Sequence, residues 1–153
     1  MLIFQKKLKE FASELIGRTL VAGPTQAVIL ETRTFPRKQN DTPNYQPMLT
    51  MRPGEVFTPL HRGVAILPLI VCNDADGQTG ACVLIQSIEV AGSMISKPGA
   101  VSKALGITVP KDPGRIEEHA DGSLELVMAR LGPAVMPSKP AKKRIGNGIA
   151  DRR

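Results

Sequence analysis

The sequence predicts one mixed α/β domain, on three observations. An amphipathic helical pattern opens the chain, runs of strand character follow it, and 153 residues suffice for one real core but not for two comfortable ones. Apolar residues make up 42% of the chain, which excludes a wholly disordered protein. With four Phe, one Tyr and no Trp, the core must be aliphatic.

Phe4, Leu8, Phe11, Leu15 and Ile16 recur at helical spacing with Lys6, Lys7, Lys9, Glu10 and Glu14 on the other side, so residues 3–16 are expected to form the helix, stopped at Gly17. Two strands, TLVAG and QAVILETRTF, come next around the turn Gly23-Pro24. Residues 36–53 are rich in Pro, Asn, Gln, Asp and Thr and predict a surface loop. GEVFTPLHRGVAILPLIVC and GACVLIQSIEVAG predict two buried strand regions joined by NDADGQTG, with Pro59 and Pro68 interrupting the ladder. SKPGAVSKALGI predicts a short helix with free N-terminal amides, and DGSLELVMARL a last strand. The expected domain covers residues 1–136, and a basic tail covers 137–153.

Several function classes fall away on composition. Cys72 and Cys82 lie ten residues apart without a nearby His, so no zinc ligand set of the usual spacing exists, and no metal or cofactor is expected. Asp74, Asp76 and Gln78 have calcium-loop spacing but lack its downstream Glu, which leaves a hairpin turn. The opening residues are too few for a signal peptide and ILPLIVC is too short for a membrane span, so a cytoplasmic, reducing location without membrane contact is expected. The net charge of +6 is uneven: +4 on residues 1–63, −3 on 64–138 and +5 on the last fifteen. That distribution suits an anionic polymer, and equally a solvated face with a basic tail.

The stretch VILETRTF poses the functional question, since residues i, i+2 and i+4 of a strand place Glu31, Arg33 and Phe35 on one face. The order of segments around it resembles the alkyladenine (3-methyladenine) DNA glycosylase family. FASELIGRTLV, AVILETRTF, TPNYQPM, RPGEVF, GACVLIQSIEV and KPGAVSKALGI follow the order of the family's pieces over most of residues 8–126, and KKRIGNGIAD is similar to a later segment, after which the chain stops short of the family's last aromatic strand. The resemblance implies a curved antiparallel sheet with surrounding helices, and a pocket for a damaged purine extruded from DNA.

The same comparison removes the chemistry. The position of the family's water-activating Glu is Arg33, which stays protonated and cannot act as a base. The former base pocket falls on Phe35, Pro59 and Leu69, the wedge on Arg62 before Gly63, and a strand Arg on Gln86; no His comes from the shortened loop. Glu31 is the fallback base, one pair along the strand and next to Arg33. His61 adjoins Arg62, His119 lies among Glu117, Glu118 and Asp121, and no Ser-His-Asp or Cys-His arrangement is recognisable. The expectation is therefore a glycosylase-like protein that has lost base excision, a pseudoenzyme associated with DNA or another nucleic acid through Arg62, His61, Gln86, Lys103, Lys142, Lys143 and Arg144. The alternatives are an active 3-methyladenine-type glycosylase in base excision repair using Glu31, and a protein-interaction or assembly component using the former DNA face; a protein partner that completes the missing C-terminal strand is a further option.

Overall fold

The structure is a computed structural model, and it describes residues 3–137. It overturns the expected helix-surrounded mixed α/β architecture: the described residues are mostly β, a seven-stranded closed barrel with two short α-helices among them. The strands are β1 (Thr19–Ala22), β2 (Thr25–Phe35), β3 (Glu55–Phe57), β4 (Leu60–His61), β5 (Ala65–Ile66), β6 (Leu69–Asn73), β7 (Thr79–Val90), β8 (Ser93–Ile95), β9 (Gly114–Glu118) and β10 (Leu124–Met128). The helices are α1 (Leu8–Leu15) and α2 (Pro98–Ala104).

Around the ring the order is β2-β1-β10-β9-β3-β6-β7, and β7 pairs back onto β2 to close it. Every strand of the ring is thereby paired on both edges. All contacts are antiparallel except β1 with β10, which run parallel with Leu20 opposite Leu124. β8 extends beside β7, and β4 with β5 forms a separate hairpin.

Strand periodicity explains the core. Leu20, Ile29, Val56, Ile70, Val83, Ile116 and Leu124, drawn from all seven ring strands, fill the interior with aliphatic groups. The expected N-terminal helix begins later, because residues 3–5 form a 3₁₀ turn. Its apolar stripe of Leu8, Phe11, Ala12 and Leu15 at helical spacing joins the same core, and Phe4 packs against Phe11 with ring centroids 6.0 Å apart. Gly17, at φ 86°, ends the helix and donates its amide to the Ile29 carbonyl at 2.7 Å, which fixes α1 to β2. The helical reading of residues 3–16 failed only in extent. The barrel, by contrast, had no local signature: β9 pairs with β3 across 58 residues or more, and neither β8 nor β9 was expected.

One ionic clamp ties the N-terminal segment to the β9–β10 hairpin. Arg18 donates to Glu118 Oε2 and to the Gly122 carbonyl, both at 3.0 Å, while the Ile3 amide donates to Glu118 Oε1 at 2.7 Å. Burial opposes ionisation of Glu118, but the Ile3 amide and the Arg18 guanidinium outweigh it and hold the carboxyl below its ordinary range. Such a group contributes stability above the unfolded-state value of about 4.3, and that contribution is lost as pH falls through the lower folded value. Glu118→Gln is expected to lower unfolding free energy by about 1–3 kcal/mol at pH 7, with the deficit shrinking at pH 3. Urea unfolding at the two pH values checks this, and an equal deficit at both would exclude an ionic clamp.

Candidate functional site

Alternation along β6 and β7 gives the barrel a second apolar face. Ile70, Cys72, Ala81 and Val83 point inward, whereas Leu69, Val71, Cys82 and Leu84 point outward and pack with Phe57 and Met48. The expected surface loop at residues 36–53 covers part of that outer face rather than lying free. Its fully buried Met48 and half-buried Tyr45 and Met51 pack on it, and the Asn40 amide donates to the Gly80 carbonyl at 2.7 Å.

What the loop leaves uncovered is a cavity of ≈ 1310 Å³. Its walls come from β2, β6 and β7, the 36–51 loop, the β4–β5 hairpin, α2 and residues 135–137. Two contacts hold these walls together. Ser102 Oγ in α2 donates to the Ile66 carbonyl of the hairpin at 2.7 Å, and Gly132 lies against Gly106 so closely that a Cβ on Gly106 would run into its carbonyl.

The cavity gathers six of the residues singled out in the sequence: Arg33, Phe35, His61, Leu69, Gln86 and Lys103. Arg33 and Phe35 share a face as expected, with the guanidinium 5.6 Å from the Phe35 ring centroid. Sequence reasoning missed Lys97 and Tyr45, which also line the cavity. Tyr45 is the sole tyrosine of the chain, which could have drawn attention to it, and its hydroxyl lies 3.4 Å from His61 Nδ1. Lys97 carried no signal beyond its charge.

Other expected residues lie elsewhere. Pro59 is buried outside the cavity lining, so it is not part of the pocket. Arg62 sits at the exposed tip of the β4–β5 hairpin, where Arg62 (φ 53°) and Gly63 (φ 70°) make a tight turn closed by Val64 donating to the His61 carbonyl at 3.0 Å. His119 pairs with Glu125 at 3.0 Å on the β9–β10 hairpin. Lys142, Lys143 and Arg144 lie outside the described residues.

Glu31 lies within a double bulge and does not line the cavity with the other two. Leu30 is an extra residue on β2 and Gln86 an extra residue on β7, and between them Glu31 stands opposite Ser87. The fully buried Ser87 hydroxyl donates to Glu31 Oε1 at 2.9 Å, so the carboxylate satisfies a structural hydroxyl instead of entering the cavity. Gln86, displaced by the same bulge, does line it.

The charge of the lining is one-sided. Arg33, Lys97 and Lys103 contribute cations, and among the described residues no Asp or Glu lines the cavity. None of the three cations has an ion-pair partner among the described residues. Four acidic groups of the C-terminal half, Glu117, Glu118, Asp121 and Glu125, instead occupy the β9–β10 hairpin, where Glu117 pairs with Arg115 and Glu118 with Arg18. Among the described residues no cluster of His, Cys, Asp and Glu is arranged to hold a metal ion, and no helix is long and apolar enough to cross a membrane.

Compared with known proteins, the chain matches no family model, no curated protein and no solved structure at significant similarity.

The two thiols are buried and unpaired, Cys72 in the interior and Cys82 on the cavity face. Burial pushes the Cys82 thiol up to about 12, against a smaller opposing effect of the Asn40 amide. Burial likewise raises Cys72, assisted by Cys82 and Asp74. Because the thiolate is the nucleophile, both are expected to react with an aromatic disulfide at pH 8 on the order of 10³-fold more slowly than free cysteine. Full reactivity should appear on unfolding, as followed by absorbance.

Proposed function

We propose that the protein binds nucleic acid through this cavity and does not cut glycosidic bonds. The observation that carries the reading is the lining itself: three cations without an ion-pair partner among the described residues, two aromatic rings and a histidine, and no carboxylate. An anionic polymer with planar bases complements such a lining, because phosphates neutralise the cations and bases stack on the rings. An unpaired cation also costs less where a mobile anion can reach it than in a sealed interior. Among the described residues the lining offers no carboxylate to activate water, and the carboxylate nearest in sequence to Arg33, Glu31, is engaged by Ser87.

The glycosylase resemblance supports this reading only through positions. Arg33, at the position of the family's base, and Phe35 and Leu69, placed by that comparison in the base pocket, line one cavity together with Gln86, read as a DNA contact, whereas Pro59 does not. The closed barrel with two short helices is not the architecture the resemblance implied, so the proposal rests on the cavity rather than on kinship. Exposed Leu60, Val64, Val135 and Met136 near the same rim favour the protein-interaction reading as runner-up.

The deciding experiment is fluorescence polarisation with an undamaged duplex, an abasic duplex and a single strand over a salt series, with release of hypoxanthine or methyladenine followed in the same samples. Binding that weakens steeply with salt, without base release, is expected. Arg33→Ala should lower the log–log salt slope by about one unit. Base release abolished by Glu31→Gln would replace this reading with an enzyme, and absence of both binding and release would replace it with a protein partner.

A further inference from the structure

We propose that the cavity receives single-stranded nucleic acid, several nucleotides at a time, in preference to one base extruded from a duplex. This rests on the nucleic-acid reading above and commits it to a form of ligand.

Size is the first argument. At ≈ 1310 Å³ the cavity exceeds the ~300–1,000 Å³ of pockets that enclose one drug-sized ligand, and a single base is smaller than such a ligand. Proteins that extrude a base recover the few kcal/mol of unstacking by enclosing it tightly, which a cavity this wide does not do. The second argument is the distribution of stacking planes. The Phe35 ring, with Arg33 5.6 Å from its centroid, is one such surface on β2, and the Tyr45 ring, whose hydroxyl lies 3.4 Å from His61 Nδ1, is a second aromatic group where the loop meets the hairpin. Two separate planes suit more than one unstacked base.

The third argument concerns what the lining cannot read. The buried polar side chains in it are engaged by the protein itself: the Asn40 amide donates to the Gly80 carbonyl and Ser102 Oγ to the Ile66 carbonyl. Apart from Gln39, Gln86 and Thr108 at its unburied margin, recognition falls to stacking and to the cations on β2 and around α2, which predicts broad tolerance of base identity.

The test is polarisation with labelled oligothymidylates from ~2 to ~12 nucleotides, compared with thymidine monophosphate and with the undamaged and abasic duplexes at one salt concentration. Affinity is expected to rise with length to a plateau, to exceed that of both duplexes, and to be similar for oligodeoxyadenylate. Phe35→Ala and Tyr45→Ala should each weaken the longest oligomer by ~5- to 150-fold. The exposed double change Lys97→Gln, Lys103→Gln, which spares the packed rings, should flatten its salt dependence. An oligouridylate series assigns the strand: tighter uridylate binding supports RNA, and equal or weaker binding supports DNA. A duplex that binds at least as tightly as every oligomer, or a mononucleotide that matches the longest one, overturns the single-strand proposal while nucleic-acid binding stands. Failure of every nucleic acid to bind overturns both.

Discussion

The pairing of β2 with β7 is the constraint on which the rest of the molecule depends. It converts a sheet with two edges into a closed ring, and its double bulge decides what each face of that seam presents. Because side chains alternate with period two, one unpaired residue on β2 would invert everything beyond it. Leu30 is that residue: Ala27 and Ile29 face inward before it, whereas beyond it Thr32 stands beside inward-facing Ile85 and Arg33 and Phe35 face the cavity, and the extra Gln86 on β7 brings the two strands back into step. The Glu31–Ser87 hydrogen bond fills the gap between the two irregularities. A structural hydroxyl thus accounts for the acid that a catalytic reading would otherwise claim.

Electrostatics follow from the same geometry. β9 and β10, which carry Glu117, Glu118 and Glu125, occupy the ring beside β1 and β3, away from the β6–β7 seam. The two halves of the chain differ in net charge along the sequence, but the barrel interleaves them: Arg33 comes from the basic half, and Lys97 and Lys103 from the half that is net acidic. Charge counted along the chain therefore located a basic character without locating the surface that bears it.

The local features were legible and the global ones were not. Helical spacing revealed α1, alternation revealed β2 and β7, and Pro59 and Pro68 marked breaks on either side of the β4–β5 hairpin, because these depend on neighbours within a few residues. Ring closure depends on pairings such as Glu55 with Arg115, whose partners are distant and whose strands are short, so no window of sequence contains the signal. The same limit applies to the site. Glu31, Arg33 and Phe35 are equally spaced in the sequence, but the first is engaged by Ser87, on a partner strand far along the chain, and only the other two line the cavity. Lys97 and Tyr45 enter the cavity from elements whose placement is wholly tertiary.

The parallel contact between β1 and β10 has a consequence for how the chain comes to be folded. Leu20 must wait for Leu124 before that edge is covered, so a growing chain holds β1 and β2 with one open flank until nearly all of the barrel has been synthesised. Contacts at such separation reward the chain only after the entropy of closing a long loop has been met, which places closure late and makes it slow. Until then the aliphatic interior is open to neighbouring chains. The arrangement that leaves the finished ring without a free edge thus concentrates the hazard of aggregation in the interval before its last strand arrives.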